Sequence, residues 1–108
     1  MAMVNRFDVY LVNLDPNPSR DAKNTRPCVV ISPDETNRNL ETVIIAPLSS
    51  TKVKYPTRVA VDFLNNERFV ILDQIRVVDK IRLVKKIGEM PPEAAKRTLE
   101  RLSELFAQ

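Results

Sequence analysis

The amino-acid sequence predicts a mainly β fold, a small twisted antiparallel sheet or partly open barrel, closed by one C-terminal helix. Three observations carry this reading. Through the first three-quarters of the chain, apolar segments of four to eight residues alternate with clusters of Pro, Asn, Asp and Ser, the pattern of short strands joined by turns. After Pro91 the apolar spacing changes to three and four, the period of a helix. Gly88 is the one glycine against eight prolines, so the turns must be built from Pro, Asn and Asp.

The elements follow in order. Phe7-Asp8-Val9-Tyr10-Leu11-Val12-Asn13-Leu14 alternates apolar and polar residues in part, as a half-buried strand does. Asp15-Pro16-Asn17-Pro18-Ser19-Arg20-Asp21 cannot continue it, because two prolines remove ladder donors and their neighbours favour turns. The resulting loop of about ten residues is long for a hairpin connection, and such loops often carry function. Pro27-Cys28-Val29-Val30-Ile31-Ser32 is a continuous apolar run, short enough for a buried strand. Pro33 to Asn39 reads as a turn or a single helical turn. Thr42 to Leu48 is a second buried strand, Thr57 to Asp62 alternates cleanly with one wet face, and Phe69-Val70-Ile71-Leu72 is another short buried strand. Asp73 to Lys80 is polar and basic, and Val84 to Met90 forms a last strand. Pro91-Pro92-Glu93 opens a helix over 92–106, with proline tolerated in the first turn and Glu93 favoured there by the helix dipole. Ala95, Leu99, Leu102 and Phe106 then make one apolar stripe, expected to pack on the sheet because so small a β domain needs it for a core.

Composition narrows the functions available. The 108 residues fit one domain, 1–108, large enough to fold alone. With 44% hydrophobic and 29% charged residues, the chain falls among soluble globular proteins. No apolar run approaches the roughly 20 residues that span a bilayer. Met1-Ala2-Met3-Val4-Asn5-Arg6 lacks the apolar core of a signal peptide, so a cytoplasmic location is expected. Cys28 is the single cysteine, which rules out an internal disulfide. Histidine is absent altogether. That excludes Ser-His-Asp and Cys-His catalysis in their usual forms and His-based metal sites, and one cysteine cannot build a thiolate site. A carboxylate-only Mg²⁺ site has no signature here. No metal or cofactor is therefore expected, and any chemistry must come from Arg, Lys, Asp, Glu, Ser, Thr or Tyr. The net charge of +3 suits a polyanionic partner and suits an ordinary surface equally well.

Three segments together resemble the MazF/PemK family of toxins. The first is Asp8-Val9-Tyr10-Leu11-Val12-Asn13-Leu14-Asp15-Pro16, followed by Thr25-Arg26-Pro27-Cys28-Val29-Val30-Ile31-Ser32. The second is Val43-Ile44-Ile45-Ala46-Pro47-Leu48-Ser49-Ser50, leading to Tyr55-Pro56-Thr57. The third is Leu72-Asp73-Gln74-Ile75-Arg76-Val77-Val78-Asp79-Lys80 with Arg82-Leu83. Order and spacing agree over nearly the whole chain. The resemblance implies an SH3-like barrel of the CcdB/MazF type that forms a homodimer, cuts single-stranded RNA (mRNA) at short motifs, and is held inactive by a small acidic antitoxin. The family's functional positions fall on Arg26 and Ser49, with Asp21 in place of an acidic loop residue and Asp73, Gln74 and Arg76 matching the Asp-Gln-Ile-Arg segment. Two positions depart from the family pattern. Phe7 stands where a glycine is usual, and Ser19-Arg20-Asp21 replaces the common Gly-Ser-Glu, giving a stiffer, more basic loop.

The chemistry implied suits a chain without histidine. RNA cleaves itself when its 2′-hydroxyl loses a proton and the phosphorane charge is stabilised, with no external nucleophile and no metal. Arg26, set just before a buried strand, presents a fork of donors matched to phosphate oxygens. An arginine stays charged near neutral pH, which favours charge stabilisation over general-base work. Asp21 or Asp73 can take the 2′-proton if burial raises its carboxyl. The structural alternative for Arg26 is a salt bridge, for instance to Asp73. Ser49 follows an apolar strand and can donate to a phosphate oxygen, but Ser49, Ser50 and Thr51 are three hydroxyls in a row, and a shift of one residue exchanges the faces. Asp73 and Gln74 can read base edges or orient Arg26, and equally can form ion pairs within the fold. Arg76, Lys80 and Arg20 can bind phosphate or form a solvated basic face. Tyr55 is the stacking candidate, whereas Tyr10, inside the first strand, and Cys28 read as packing. Two rivals stand beside the nuclease. One is a CcdB-like inhibitor of DNA gyrase, although Leu105-Phe106-Ala107-Gln108 lacks that group's apolar-Gly end. The other is an inactive RNA- or partner-binding module.

Overall fold

The computed structural model describes residues 3–16, 24–51 and 57–107; Arg20, Asp21 and Tyr55, all assigned above to the site, lie outside them. The strands are β1 (Asp8–Asn13), β2 (Thr25–Val30), β3 (Thr42–Ser49), β4 (Arg58–Phe63), β5 (Asn66–Ile71), β6 (Arg76–Asp79) and β7 (Leu83–Glu89), and the helices are α1 (Asp34–Asn39) and α2 (Pro92–Leu105). Short 3₁₀ turns cover Leu72–Gln74 and Lys80–Arg82. The strands form one antiparallel sheet in the order β4-β5-β3-β2-β1-β7, curled into a half-barrel, with β6 also paired to β3.

β3 organises this sheet. One of its edges pairs with β2, with Cys28 opposite Pro47 and Val30 opposite Ile45. The other edge is divided, pairing Thr42–Ile45 with β6 and Leu48–Ser49 with β5. Pro47 sits where those partners change. The Ile31 N–H donates to the Ile44 carbonyl at 2.9 Å, so Ile44 turns its backbone toward β2. Alternation then aims the backbone of Pro47 at the divided edge, where its missing N–H costs no ladder bond. The turn Leu72–Gln74 lies between β5 and β6 in the chain and fills that gap.

The two faces of the sheet hold separate cores. Val9, Val29, Ile31, Ala46, Leu48, Val59, Val61, Phe63, Val70, Leu72, Met90 and Ala94 pack beneath α2. Val4, Tyr10, Val12, Cys28, Val30, Val43, Ile45, Val78 and Leu83 pack on the opposite face. Phe63, at the end of β4, reaches β7: a Cβ on Gly88 would stand 2.8 Å from the ring's Cζ, so glycine is what lets the two outer strands approach. The β4–β5 hairpin turns on Leu64 and Asn65, with φ of 51° and 63°, the signature of a type I′ turn made without glycine.

Phe7 adopts φ 71°, a region in which a side chain is strained and glycine is not. Its N–H donates to the Val30 carbonyl at 2.6 Å and its carbonyl accepts from Met90 N at 2.9 Å, which fixes the residue there. The position at which Phe replaces the family's usual glycine is thus one that demands an unusual backbone. Next to it, buried Asp8 accepts from Asn5 N at 2.9 Å and pairs with Lys86 of β7 at 3.3 Å.

Three expectations need correction. The segment 73–80 contains a strand, β6, and the strand expected over Phe69–Leu72 runs from Asn66 to Ile71. The apolar stripe of α2 packs on the sheet only in part. Ala95 and Leu102 lie against the core beside buried Ala94 and Thr98, whereas Leu99 is 38% and Phe106 70% exposed. Small residues bring the helix close to the sheet, and Thr98 hides its hydroxyl by donating to the Ala94 carbonyl at 2.8 Å. Arg97 then donates to the Ala60 carbonyl of β4 at 2.8 Å.

Candidate nucleic-acid interface

Strand alternation sorts β2 between the faces, with Val29 under the helix and Arg26, Cys28 and Val30 on the other side. Residues directly opposite on a ladder share a face. Ile45 faces Arg76, and Val43 faces Val78. Arg26 faces Val12 of β1. Arg26 stands two residues from Cys28 on β2 and Ser49 two residues from Pro47 on β3, so by alternation both keep to the face of that pair. Arg26, Ser49 and Arg76 therefore project from one face, around buried Cys28, Pro47 and Ile45. Ser50, the next residue, is exposed and lies just past the end of β3. The Ser49 Oγ accepts from Thr51 N at 3.1 Å, and a hydroxyl that accepts there still has its own hydrogen to donate.

The electrostatics of Cys28 locate the same grouping independently. Burial pushes its thiol up to about 12, while Arg26 and then Arg76 pull it back down. Both guanidiniums thus lie within Coulombic reach of one buried sulfur. Cys28 itself is a core residue, as expected. Tyr10 is buried as well, its phenol raised by burial first and by Asp8 second.

Asp73 and Gln74 are exposed and stand on the 3₁₀ turn after β5, rather than at a buried strand end. Arg26 and Asp73 form no ion pair, so the structural alternative named for Arg26 is not realised with that partner. Arg76 is exposed at the start of β6. Lys80 is committed inward: its Nζ donates to the Asn37 carbonyl, where Asn37 and Ser32 form a buried pair supporting Ile44 N. Among the described residues, no group of three or more His, Cys, Asp or Glu gathers as a metal site.

Arg26 is held by its surroundings. It precedes Pro27, which biases it toward extended backbone, and it pairs with β1. The end of β1 is in turn gripped by Arg82, a residue given no role above. Its Nη1 donates to the carbonyls of Asn13, at 3.1 Å, and Asp15, and its Nη2 donates to that of Pro16 at 3.3 Å. Arg82 belongs to the third segment of the resemblance, but nothing in the sequence gives it a role apart from its charged neighbours.

The model of a family described as PemK-like, MazF-like toxin of type II toxin–antitoxin systems matches residues 5–106. The fold is similar to that of an endoribonuclease from a mycobacterial species, at 25% identity, a TM-score of 0.79 and coverage of 96% of this chain and 91% of that one. It is similar to MazF from Deinococcus radiodurans, at 21% identity, a TM-score of 0.80 and full coverage of both chains (100% and 100%). A mycobacterial endoribonuclease in complex with its cognate antitoxin matches at 24% identity and a TM-score of 0.79, over 94% of this chain and 92% of that one. No helix among the described residues is long and apolar enough to cross a membrane.

Proposed function

Because this chain belongs to the PemK-like, MazF-like toxins of type II toxin–antitoxin systems, we propose that it is a sequence-specific endoribonuclease that cleaves single-stranded RNA by attack of a ribose 2′-hydroxyl, with no metal or cofactor. The observation that carries this reading is the shared face of Arg26, Ser49 and Arg76. Two guanidiniums and a hydroxyl are donors suited to a phosphate whose charge grows in the transition state.

The 2′-oxygen attacks phosphorus and the bond to the 5′-oxygen breaks. The proton of the 2′-hydroxyl passes to a carboxylate, Asp73 or Asp21, and the 5′-oxygen leaves as a hydroxyl after taking a proton from the Arg26 guanidinium, which regains one from solvent. Arg26 stabilises the dianionic phosphorane, and Ser49 donates to a non-bridging oxygen. Arg76 and Arg20 hold flanking phosphates, Gln74 and Ser50 contact bases or backbone, and Tyr55 stacks on a base. The products are a 2′,3′-cyclic phosphate, or the 3′-phosphate from its hydrolysis, and a 5′-hydroxyl.

The whole chain, 1–108, acts as one toxin domain, works as a homodimer in the cytoplasm, and is silenced by an acidic antitoxin segment that folds over the basic face. The mycobacterial endoribonuclease bound to its cognate antitoxin supports that last point by likeness of fold. The test is incubation of the purified protein with a long single-stranded RNA in excess EDTA, followed by mapping of the ends. Discrete cuts with 5′-hydroxyl and cyclic or 3′-phosphate ends are expected. A folded, antitoxin-free sample that makes no cuts would replace this reading with a non-enzymatic toxin.

A further inference from the structure

One side chain distant in sequence holds the strand that holds Arg26, and we propose that Arg82 is a positioning residue for Arg26. The proposal rests on the reading of Arg26 as the residue that stabilises the phosphorane.

Arg82 closes the 3₁₀ turn Lys80–Arg82 that leads into β7, and its guanidinium meets the backbone of Asn13, Asp15 and Pro16 from 66 to 69 positions away in the chain. A guanidinium carries five donors in a rigid plane and can serve several carbonyls at once, which an ammonium on a flexible stem does poorly. The gripped segment is further closed on itself, because Asn13 Oδ1 accepts from Asp15 N at 2.7 Å. It is also tied across to the β2 side, where Leu14 N donates to the Asn24 carbonyl at 3.3 Å.

From there the chain of contacts to the site is short. Asn13 pairs with Thr25 and Val12 with Arg26. The pairs between β2 and β3 begin only at Cys28. Along Thr25–Pro27 the described strand pairing is therefore to β1 alone. Whatever fixes the end of β1 fixes the backbone from which Arg26 projects. Arg82 touches no substrate in this scheme. Its charge is used on carbonyl oxygens at the root of the 17–23 segment, and its effect on the reaction passes through the β1–β2 ladder.

The test uses the full-length protein as wild type, Arg82→Lys and Arg82→Met. Three readings are taken: steady-state cleavage of an RNA oligonucleotide, its dependence on salt, and hydrogen exchange of the Leu14 and Asp15 amides. Both variants are expected to lose roughly 10- to 100-fold in kcat, since an error near 1 Å at a catalytic group costs up to about 10²-fold. KM should change little, and both amides should exchange faster while amides of the helix-covered core do not. The positioning role is overturned if Arg82→Lys retains wild-type kcat. It is also overturned if the variants weaken the salt dependence of kcat/KM by about 0.7 in logarithmic slope, the mark of a lost phosphate contact. Exchange raised equally throughout the protein would overturn it too, by showing a loss of global stability. Failure of the wild type to cleave RNA would sink the endoribonuclease reading itself. An active wild type with an unimpaired Arg82→Lys would sink the positioning role alone.

Discussion

The two faces of the sheet are fed by the same strands and do different work. β2 sends Val29 beneath α2 and sends Arg26, Cys28 and Val30 to the other side. β3 divides in the same way, with Ala46 and Leu48 under the helix and Ile45, Pro47 and Ser49 opposite. The helix-covered face is apolar to its margins and is closed by Phe63 against Gly88. The other face is apolar only at its centre, and arginines emerge at its rim. Alternation lets one strand contribute a rigid core residue and, at the next position, a functional one. A site built this way is held by the packing behind it.

This contrast sets out what substitutions should do. The largest effect on stability belongs to the helix-covered side. Phe63→Ala should cost about 3–5 kcal/mol in urea unfolding, because it empties the space that Gly88 leaves for the ring. Cleavage per folded molecule should stay at the wild-type value. A cost below about 1 kcal/mol would mean that the outer strands are not joined there.

The converse is expected on the rim. Arg26→Ala should lower kcat by about 10²–10³-fold, or about 2.7–4 kcal/mol, with unfolding free energy changed by no more than about 0.5 kcal/mol. Equal losses in activity and stability would erase the distinction between the faces. Between rim and core lies Cys28, whose thiol is raised from 9.0 to about 12 by burial. The folded protein keeps this proton longer than the unfolded chain, so stability is intact below pH 9 and falls as pH rises toward about 12. Near pH 10 the loss should be about 1.4 kcal/mol, absent in Cys28→Ala. The native thiol should also resist alkylating reagents at neutral pH, and rapid labelling of folded protein would refute its burial.

The smallest effect lies outside both faces, at the β4–β5 turn. Leu64 holds φ 51° and is 61% exposed, so Leu64→Asn removes backbone strain and little packing. A gain of about 1 kcal/mol in thermal unfolding is expected, and a loss would mean that the leucine is covered by something else.

Much of this arrangement was legible in the sequence, and the reasons differ by element. β3 stood out as a continuous apolar run because it is central and buried on both faces, and it spans Thr42–Ser49 against the expected 42–48. β6 was invisible because it is four residues long and buries only Val78. For α2 the period and length were readable, and Ala95 and Leu102 pack on the core as expected, but Leu99 and Phe106 do not. Size decided it, since Ala94 and Thr98 permit a closer approach than Leu99 or Phe106. At the site, the family motif marked Arg26, Ser49 and Arg76. The structure adds that Ser49 closes β3 and keeps by alternation to the face of Cys28 and Pro47, whereas Ser50 lies beyond the strand. Phe7 was visible as a departure from a glycine, but its meaning lies in a dihedral angle. Arg82 was hidden because its partners are backbone carbonyls, and side-chain patterns in a sequence carry no record of those.

The divided edge of β3 also bears on how the chain finds its fold. One strand joins partners drawn from residues 28–30 on one side and from 69–70 and 76–79 on the other. Three of the six strand pairings among the described residues therefore converge on it, and such long-range pairing governs the speed of folding. Ile45→Val, in the middle of that strand, is expected mainly to slow refolding, whereas Ala94→Gly in α2 should mainly hasten unfolding. In the chevron plots of the two variants, the first should displace the folding arm and the second the unfolding arm. The reverse pattern would move the nucleus from the centre of the sheet to the helix.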